Sequence, residues 1–315
     1  MQKFTERNTM AQSAPLILRL LASSVTAANR AGKIIRDIMA RGDLGIVDKG
    51  INDLQTEADR SAQRCIVASL SQQYPDLTII GEEGANNSEV PSDWIVTDYD
   101  KVVISKQCPP EYSTVTSEDI VVWVDPLDGT SEYTQGLLEH VTVLVGLSVK
   151  GKAIAGVIHQ PYYNYKSGNS IGRTIWGLVG MGVGGFDPQG APPGKLILTT
   201  TRSHSDGTVQ KALEALNPDE IIKVGGAGHK VLLLIEGKAH AYVFASKGCK
   251  KWDTCAPEAV LVATGGKLTD MHGNAYNYGK DVQHPNTGGV FATVSGLDHE
   301  GLLAKIPQEV KDKLK

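Results

Sequence analysis

The sequence predicts a layered α/β fold, and three observations carry that expectation. A long stretch near the start has apolar residues at helical spacing. Two apolar runs meet at Lys150-Gly151 as a hairpin would. The second half then alternates short strand-like and helix-like segments, which argues for packed layers and against a solenoid. No internal repeat is visible.

In chain order, residues 16–40 form the first helix, because Leu16, Leu20, Ile34, Ile35 and Ile38 fall near a 3.6-residue period and Gly42 follows as a stop. An extended piece, 44–49, leads to a second helix over 56–70, with Pro75 closing that region. A short buried strand spans 77–80 and ends on Gly81-Glu82-Glu83-Gly84. Residues 86–118 are polar and carry Pro91, Pro109 and Pro110, so they read as an irregular insertion. Strands follow at 120–124, 141–149, 153–160 and 171–179, then a glycine-rich surface loop over 180–194. The second half offers strands at 196–200, 221–224 and 239–245, interleaved with helices at 208–216, 230–236 and 257–264. Two halves are expected, 12–165 and 166–310.

The chain has 315 residues, 41% hydrophobic and 21% charged, enough for a full core. A formal net charge of −4 does not favour broad nucleic-acid binding. No apolar run nears the roughly 18–20 residues that span a bilayer, and the first 14 residues lack the order of a signal peptide. Cys65, Cys108, Cys249 and Cys255 form no Cys-x-x-Cys pair, which argues against zinc and for a reducing compartment, the cytosol.

The chemistry concentrates in Asp125-Pro126-Leu127-Asp128-Gly129-Thr130, two carboxylates and a hydroxyl at the end of an apolar strand. Pro126 has no amide hydrogen and leaves nearby carbonyls free, and Gly129 lets backbone or an anion approach. Two carboxylates so close repel unless a positive charge sits between them, and all-oxygen ligands suit magnesium before zinc. Asp59, Glu82 and Asp253 add acids at other element ends. Each has a plain alternative: Asp59 with Thr56 fits a capping box, Glu82 a solvated turn, Asp253 a helix start before Pro257. Five acids so placed favour a magnesium cluster over independent caps.

Gly81-Glu82-Glu83, the Asp125–Thr130 stretch and Trp252-Asp253 resemble the lithium-sensitive, magnesium-dependent phosphatase superfamily that includes inositol monophosphatases and fructose-1,6-bisphosphatases. The similarity runs from about Leu16 to the end. Within it the chain looks most like the 3'(2'),5'-bisphosphate nucleotidases, on Asp43-Leu44-Gly45-Ile46-Val47, Asp53-Leu54-Gln55-Thr56, Val121-Val122-Trp123-Val124, the 199–205 stretch, the 248–258 stretch and the long spacer between Glu83 and Asp125.

The resemblance implies an alternating αβαβα sandwich. It implies one ion held by Glu82, Asp125 and the Leu127 carbonyl, and a second held by Asp125, Asp128 and Asp253. A third, weaker site would use Asp59 and Glu82. Thr130 and Asp59 would position and deprotonate the attacking water, without a phosphoenzyme. Thr201, His204, Gly226 and Lys230, with Thr130 and Asp253, would contact the nucleotide. Two or three Mg²⁺ ions and inhibition by Li⁺ are implied, as is hydrolysis of adenosine 3',5'-bisphosphate to AMP and phosphate. 3'-Phosphoadenylyl sulfate and inositol 1,4-bisphosphate are further substrates to expect. The implied partner is a small nucleotide, with neither nucleic acid nor membrane, and the chain a monomer. The rival readings are a dedicated inositol polyphosphate 1-phosphatase and a non-catalytic nucleotide sensor. From the residues alone, the Gly225–Gly228 turn is only a turn, Lys250 and Lys251 either steer an anion or are solvated, Cys249 and Cys255 pack beside Trp252, and His140 is an ordinary loop residue.

Overall fold

The computed structural model describes residues 13–50, 53–84, 88–168, 171–203 and 207–314. The elements run α1 (Leu16–Arg41), β1 (Val47–Gly50), β2 (Asp53–Gln55), α2 (Glu57–Gln73), β3 (Thr78–Gly81), α3 (Lys101–Ile104), β4 (Ile120–Asp128) and α4 (Thr130–Thr134). Then come β5 (Thr142–Val149), β6 (Lys152–Gln160), β7 (Arg173–Leu178), β8 (Gly182–Gly184), β9 (Ile197–Thr201), α5 (Gly207–Leu216), β10 (Glu220–Val224) and α6 (Ala227–Ile235). The chain continues through β11 (Ala241–Phe244), α7 (Lys251–Ala263), β12 (Lys267–Thr269), β13 (Val290–Thr293), α8 (His299–Lys305) and α9 (Gln308–Asp312).

Five layers result. Helices α1 and α2 cover one face of a six-stranded sheet ordered β3-β4-β5-β6-β7-β8. Helices α6 and α7 fill the middle, against a five-stranded sheet ordered β10-β9-β11-β13-β12. Helices α5, α8 and α9 close the far side. Apolar periodicity drives the first layer: Ile17, Leu20, Leu21, Ile34, Ile35 and Ile38 are buried along α1, which ends on left-handed Gly42 (φ 81°). The predicted hairpin is present, with Lys150 (φ 49°) and Gly151 (φ 78°) both left-handed, as a two-residue turn between twisted strands requires.

A row of glycines sets the spacing between layers. Gly146, Gly156 and Gly177 lie opposite one another on β5, β6 and β7. A β-carbon on Gly156 would fall 2.4 Å from the Ala256 carbonyl oxygen, and one on Gly146 would fall 2.7 Å from the Ala256 nitrogen. The bare strands thus form a trough that lets α7 approach the sheet.

Several expectations need correction. Helix α7 starts at Lys251, six residues before Pro257, which lies inside it. The proline lacks only the N–H that would reach the Asp253 carbonyl, and packing on the sheet holds the helix through that gap. Helix α6 begins at Ala227, earlier than 230, for a reason given below. Strand β3 is half-buried because it is an edge strand, and the 180–194 loop contains edge strand β8. Since β7 and β8 continue the first sheet, a division at 165/166 cuts through it. The described part of the 86–118 insertion holds the short helix α3, capped by Asp100, with Trp94, Val96, Tyr99 and Ile104 packed on the first core. Among the described residues none of it lines the cavity described next. No helix among them is long and apolar enough to cross a membrane.

Candidate active site

Strand β4 carries the central acids, and an irregularity aims them. Asp125 stands opposite Leu144 and Asp128 opposite Thr142, so three steps on β4 match two on β5. Without that bulge, residues three apart would face opposite sides of the sheet. Pro126 at the bulge has no N–H to leave unpaired. The Asp125 carboxylate accepts from the Leu127 N–H at 3.0 Å. Glu82 reaches the same place because its N–H bonds the Val124 carbonyl beside β4 at 3.1 Å.

Asp128 is tied to a segment about a hundred residues away. Its Oδ1 accepts from the Ala227 N–H and its Oδ2 from the Gly228 N–H, each at 2.8 Å. Oδ2 also accepts from Thr142 Oγ1 at 2.7 Å. A carboxylate at the open N–H groups of α6 satisfies donors and suits the helix dipole, which explains the early start of that helix. Oδ1 accepts one bond among the described residues and so keeps acceptor capacity, and Asp128 lines the cavity described below.

Asp253 enters from the other side on the first turn of α7, where its Oδ2 accepts from the Lys250 N–H at 2.6 Å. Asp125 and Asp253 lie within hydrogen-bonding reach of each other. Burial first, then repulsion from Glu82, Asp128 and Asp253, pushes the Asp125 carboxyl well above the carboxylate range. Burial and the charges of Asp253 and Glu83 push Glu82 up to about 8, with Lys49 and Lys250 opposing. Burial and Asp253 raise Asp128 to about 6. Such groups are short of positive charge.

Asp59 is wholly buried behind the cavity wall. Its Oδ2 caps α2 through the Thr56 N–H at 2.7 Å, and its Oδ1 accepts from Thr130 Oγ1 at 2.8 Å. Both readings of Asp59 therefore hold, as cap and as partner of Thr130. Burial raises its carboxyl to about 6, with the Thr56 and Thr130 bonds opposing. Asp59 does not itself line the cavity, and the nearby charge of Glu83 adds to the rise of its carboxyl. Glu83 in turn pairs with Lys49 at 3.1 Å. Thr130 Oγ1 also reaches the Leu127 carbonyl at 3.0 Å.

Glu82, Asp125, Leu127, Asp128, Thr130, Thr201, Gly226, Lys230 and Asp253 all line one cavity of about 440 Å³. Lys230 is buried, donates to the Gly226 carbonyl at 2.9 Å and stands 5.3 Å over the Tyr242 ring. His204 lies outside the described residues. Lys250 lines the cavity, whereas Lys251 turns away and donates to Asn286 Oδ1 at 2.6 Å, so it neither steers nor is solvated. Cys255 packs with Trp252, but Cys249 lines the cavity. His140 does more than an ordinary loop residue: its Nδ1 accepts from the Gly225 N–H at 3.3 Å and its ring stacks on His229 at 4.9 Å.

Glu132, Tyr242, Phe244 and Lys247 also line the wall and were not foreseen. Only Glu132 had a signal, two residues beyond Thr130. Among the described residues no three His, Cys, Asp or Glu side chains stand as a ready-made metal cage. The donor set itself, four oxygen acids around one cavity with raised proton affinity, fits a hard divalent cation.

The inositol monophosphatase family model matches residues 18–311. The chain is 54% identical over 308 residues to 3'(2'),5'-bisphosphate nucleotidase 1 of Homo sapiens, covering 97% of this chain and 99% of that one. It is 40% identical over 294 residues to the protein of the same name from Dictyostelium discoideum, covering 89% and 94%. Among solved structures, the extragenic suppressor protein suhB from Bartonella henselae superposes with a TM-score of 0.67 at 21% identity, covering 91% and 97%. The inositol monophosphatase from Anabaena gives 0.60 at 18%, covering 91% and 95%. These structures share the layered fold.

Proposed function

The chain belongs to the inositol monophosphatase family, and from that premise we propose how its cavity works as a 3'(2'),5'-bisphosphate nucleotidase. The enzyme hydrolyses the 3'-phosphate of adenosine 3',5'-bisphosphate, giving AMP and phosphate, and depends on magnesium. The observation that carries the site assignment is the meeting of Glu82, Asp125, Asp128 and Asp253 at one cavity with Thr130 on its wall.

Glu82, Asp125, the Leu127 carbonyl, Asp128 and Asp253 would hold two Mg²⁺ ions, and a third would need Asp59 to leave its cap. Bound there, magnesium would neutralise the phosphoryl oxygens and the leaving alkoxide. Thr130 donates its hydroxyl hydrogen to Asp59, so its oxygen lone pairs can accept from a water. Proton flow from water through Thr130 to Asp59 is then general-base assistance. Asp59 is fixed for that role by its Thr56 bonds. Thr201, Gly226 and Lys230 would bind the nucleotide, with His204 from the neighbouring segment. Replacement of one ion by Li⁺, of similar size and half the charge, would stop turnover. A monomer in the cytosol is the form we infer. The sensor reading loses ground because every acidic position and Thr130 are filled.

Phosphate release from adenosine 3',5'-bisphosphate, with and without Mg²⁺, tests the reading on wild type and Asp253→Asn. We expect magnesium-dependent release by wild type only. A strong preference for inositol 1,4-bisphosphate would transfer the assignment to the inositol polyphosphate phosphatases, and a Mg²⁺-dependent Asp253→Asn at wild-type rate would overturn the ligand set.

A further inference from the structure

One acid in the cavity wall has no part in the scheme above. Glu132 sits on α4, only 3% exposed, and among the described residues its Oε1 accepts no hydrogen bond. Its ion pair among the described residues is loose, with Arg202 Nε 3.5 Å away, and that guanidinium is better spent on Gln135 at 2.6 Å. The carboxylate lies flat against Gly225, where a β-carbon would come 2.0 Å from its Cδ and 2.3 and 2.4 Å from its two oxygens. The next residue, Gly226, meets the Asp128 carboxylate in the same way, at 3.0 Å from Oδ2. Successive α-carbons are about 3.8 Å apart, so the two carboxylates stand over adjacent residues of one turn.

An ionised carboxylate accepts hydrogen bonds and repels phosphate. A substrate group beside Glu132 is therefore uncharged and a donor. It must also lie next to the phosphoryl group that Asp128 borders on the nucleotidase reading, on which this inference rests. In a ribose 3'-phosphate the neighbouring carbon bears the 2'-hydroxyl, while the base amine and the 5'-phosphate lie farther away. We propose that Glu132 is a specificity residue that accepts a hydrogen bond from the hydroxyl vicinal to the scissile phosphate, so that the enzyme selects ribonucleotides over 2'-deoxyribonucleotides. His140, which fixes Gly225, and the absence of a side chain there hold the carboxylate in place.

The test compares kcat/KM for adenosine 3',5'-bisphosphate and its 2'-deoxy analogue, together with calorimetric affinities for AMP and 2'-deoxy-AMP. A hydrogen bond to a charged acceptor predicts a wild-type preference for the ribose form of about 10–100-fold in both readouts. Glu132→Gln should shrink both ratios to within about threefold of unity, since the neutral amide accepts far more weakly. Arg202→Ala should keep the wild-type ratios, because the guanidinium is outside the cavity lining. If Glu132→Gln does not fold, Glu132→Asp withdraws the acceptor by one methylene and must lower the ratios likewise. Equal handling of the two sugars by wild type overturns the proposal, and so does an unchanged ratio in the Glu132 variants. A collapse in Arg202→Ala as large as in Glu132→Gln would show that Glu132 acts only through Arg202, and also overturns it. Should wild type release no phosphate at all, the nucleotidase reading falls, while the AMP and 2'-deoxy-AMP affinities still decide the role of Glu132.

Discussion

Gly156→Ala puts a single methyl group between β6 and α7, and the structure allows its effect to be worked out. The new β-carbon would lie 2.4 Å from the Ala256 carbonyl oxygen, 2.8 Å from its Cα and 2.9 Å from its carbonyl carbon. All three are backbone atoms, so no side-chain rotation relieves the clash. Restoring ordinary contact at 3.4 Å needs α7 to lift by about 1 Å. Overpacking of this kind costs about 1–3 kcal/mol of stability. Asp253 stands one turn earlier on the same helix, so the lift also moves its carboxylate away from Asp125. A displacement of about 1 Å in a positioning group can lower turnover about 100-fold. Urea unfolding and magnesium-dependent phosphate release measure the two effects. Gly190→Ala, where a β-carbon would meet nothing within 4 Å, serves as the control and should leave both unchanged. A Gly156→Ala protein with the wild-type urea midpoint and wild-type kcat would refute the claim that the glycine trough positions Asp253.

Three further outcomes are expected. Asp125→Asn removes one of four mutually repelling acids, so turnover should fall at least about 1,000-fold while the metal-free protein becomes no less stable to urea; a marked loss of stability would contradict the repulsion. Magnesium at about 100 times its Kd should stabilise wild type by about 2.7 kcal/mol, seen as a rise in Tm, and Asp125→Asn should lose most of that rise. Glu258 is half-buried, hydrogen-bonded by the Tyr278 hydroxyl, and burial raises its carboxyl from 4.5 to about 7. The folded state thus holds a proton that the unfolded chain has released between those values. Its stability contribution falls as pH rises through that window, by up to about 3 kcal/mol, and is level above it. Glu258→Gln should flatten the pH 4.5–7 slope of urea stability and gain stability at pH 8 relative to wild type; an unchanged slope would show that Glu258 does not titrate there.

The acids were legible because they sit at ends of elements whose type follows from local pattern. The apolar run before Asp125 marks a strand, Thr56 and Asp59 mark a helix start, and the 16–41 periodicity marks a buried helix face. Position relative to other elements was less legible. Pro257 looked like a helix start because local propensity disfavours an interior proline, yet packing on the sheet carries α7 through it. The beginning of α6 was missed because its cap is Asp128, a hundred residues earlier in the chain. Lys251 looked the same as Lys250 in sequence, and the Asn286 side-chain oxygen and the Pro285 carbonyl, brought over by a distant loop, separate them.

The sequence by itself determined the strongly patterned elements, α1, α2 and strands β4 to β6, and that five acids and a threonine stand at element ends, because periodicity and capping act over a few residues. Only the tertiary structure decided which acids share a cavity. The bulge after Asp125 turns Asp125 and Asp128 the same way, a glycine trough admits Asp253, and Asp59 is withdrawn behind Thr130 while Glu132 is pressed into the wall. Those outcomes depend on close packing and on charges meeting across distant segments, forces that have no local signature in the chain.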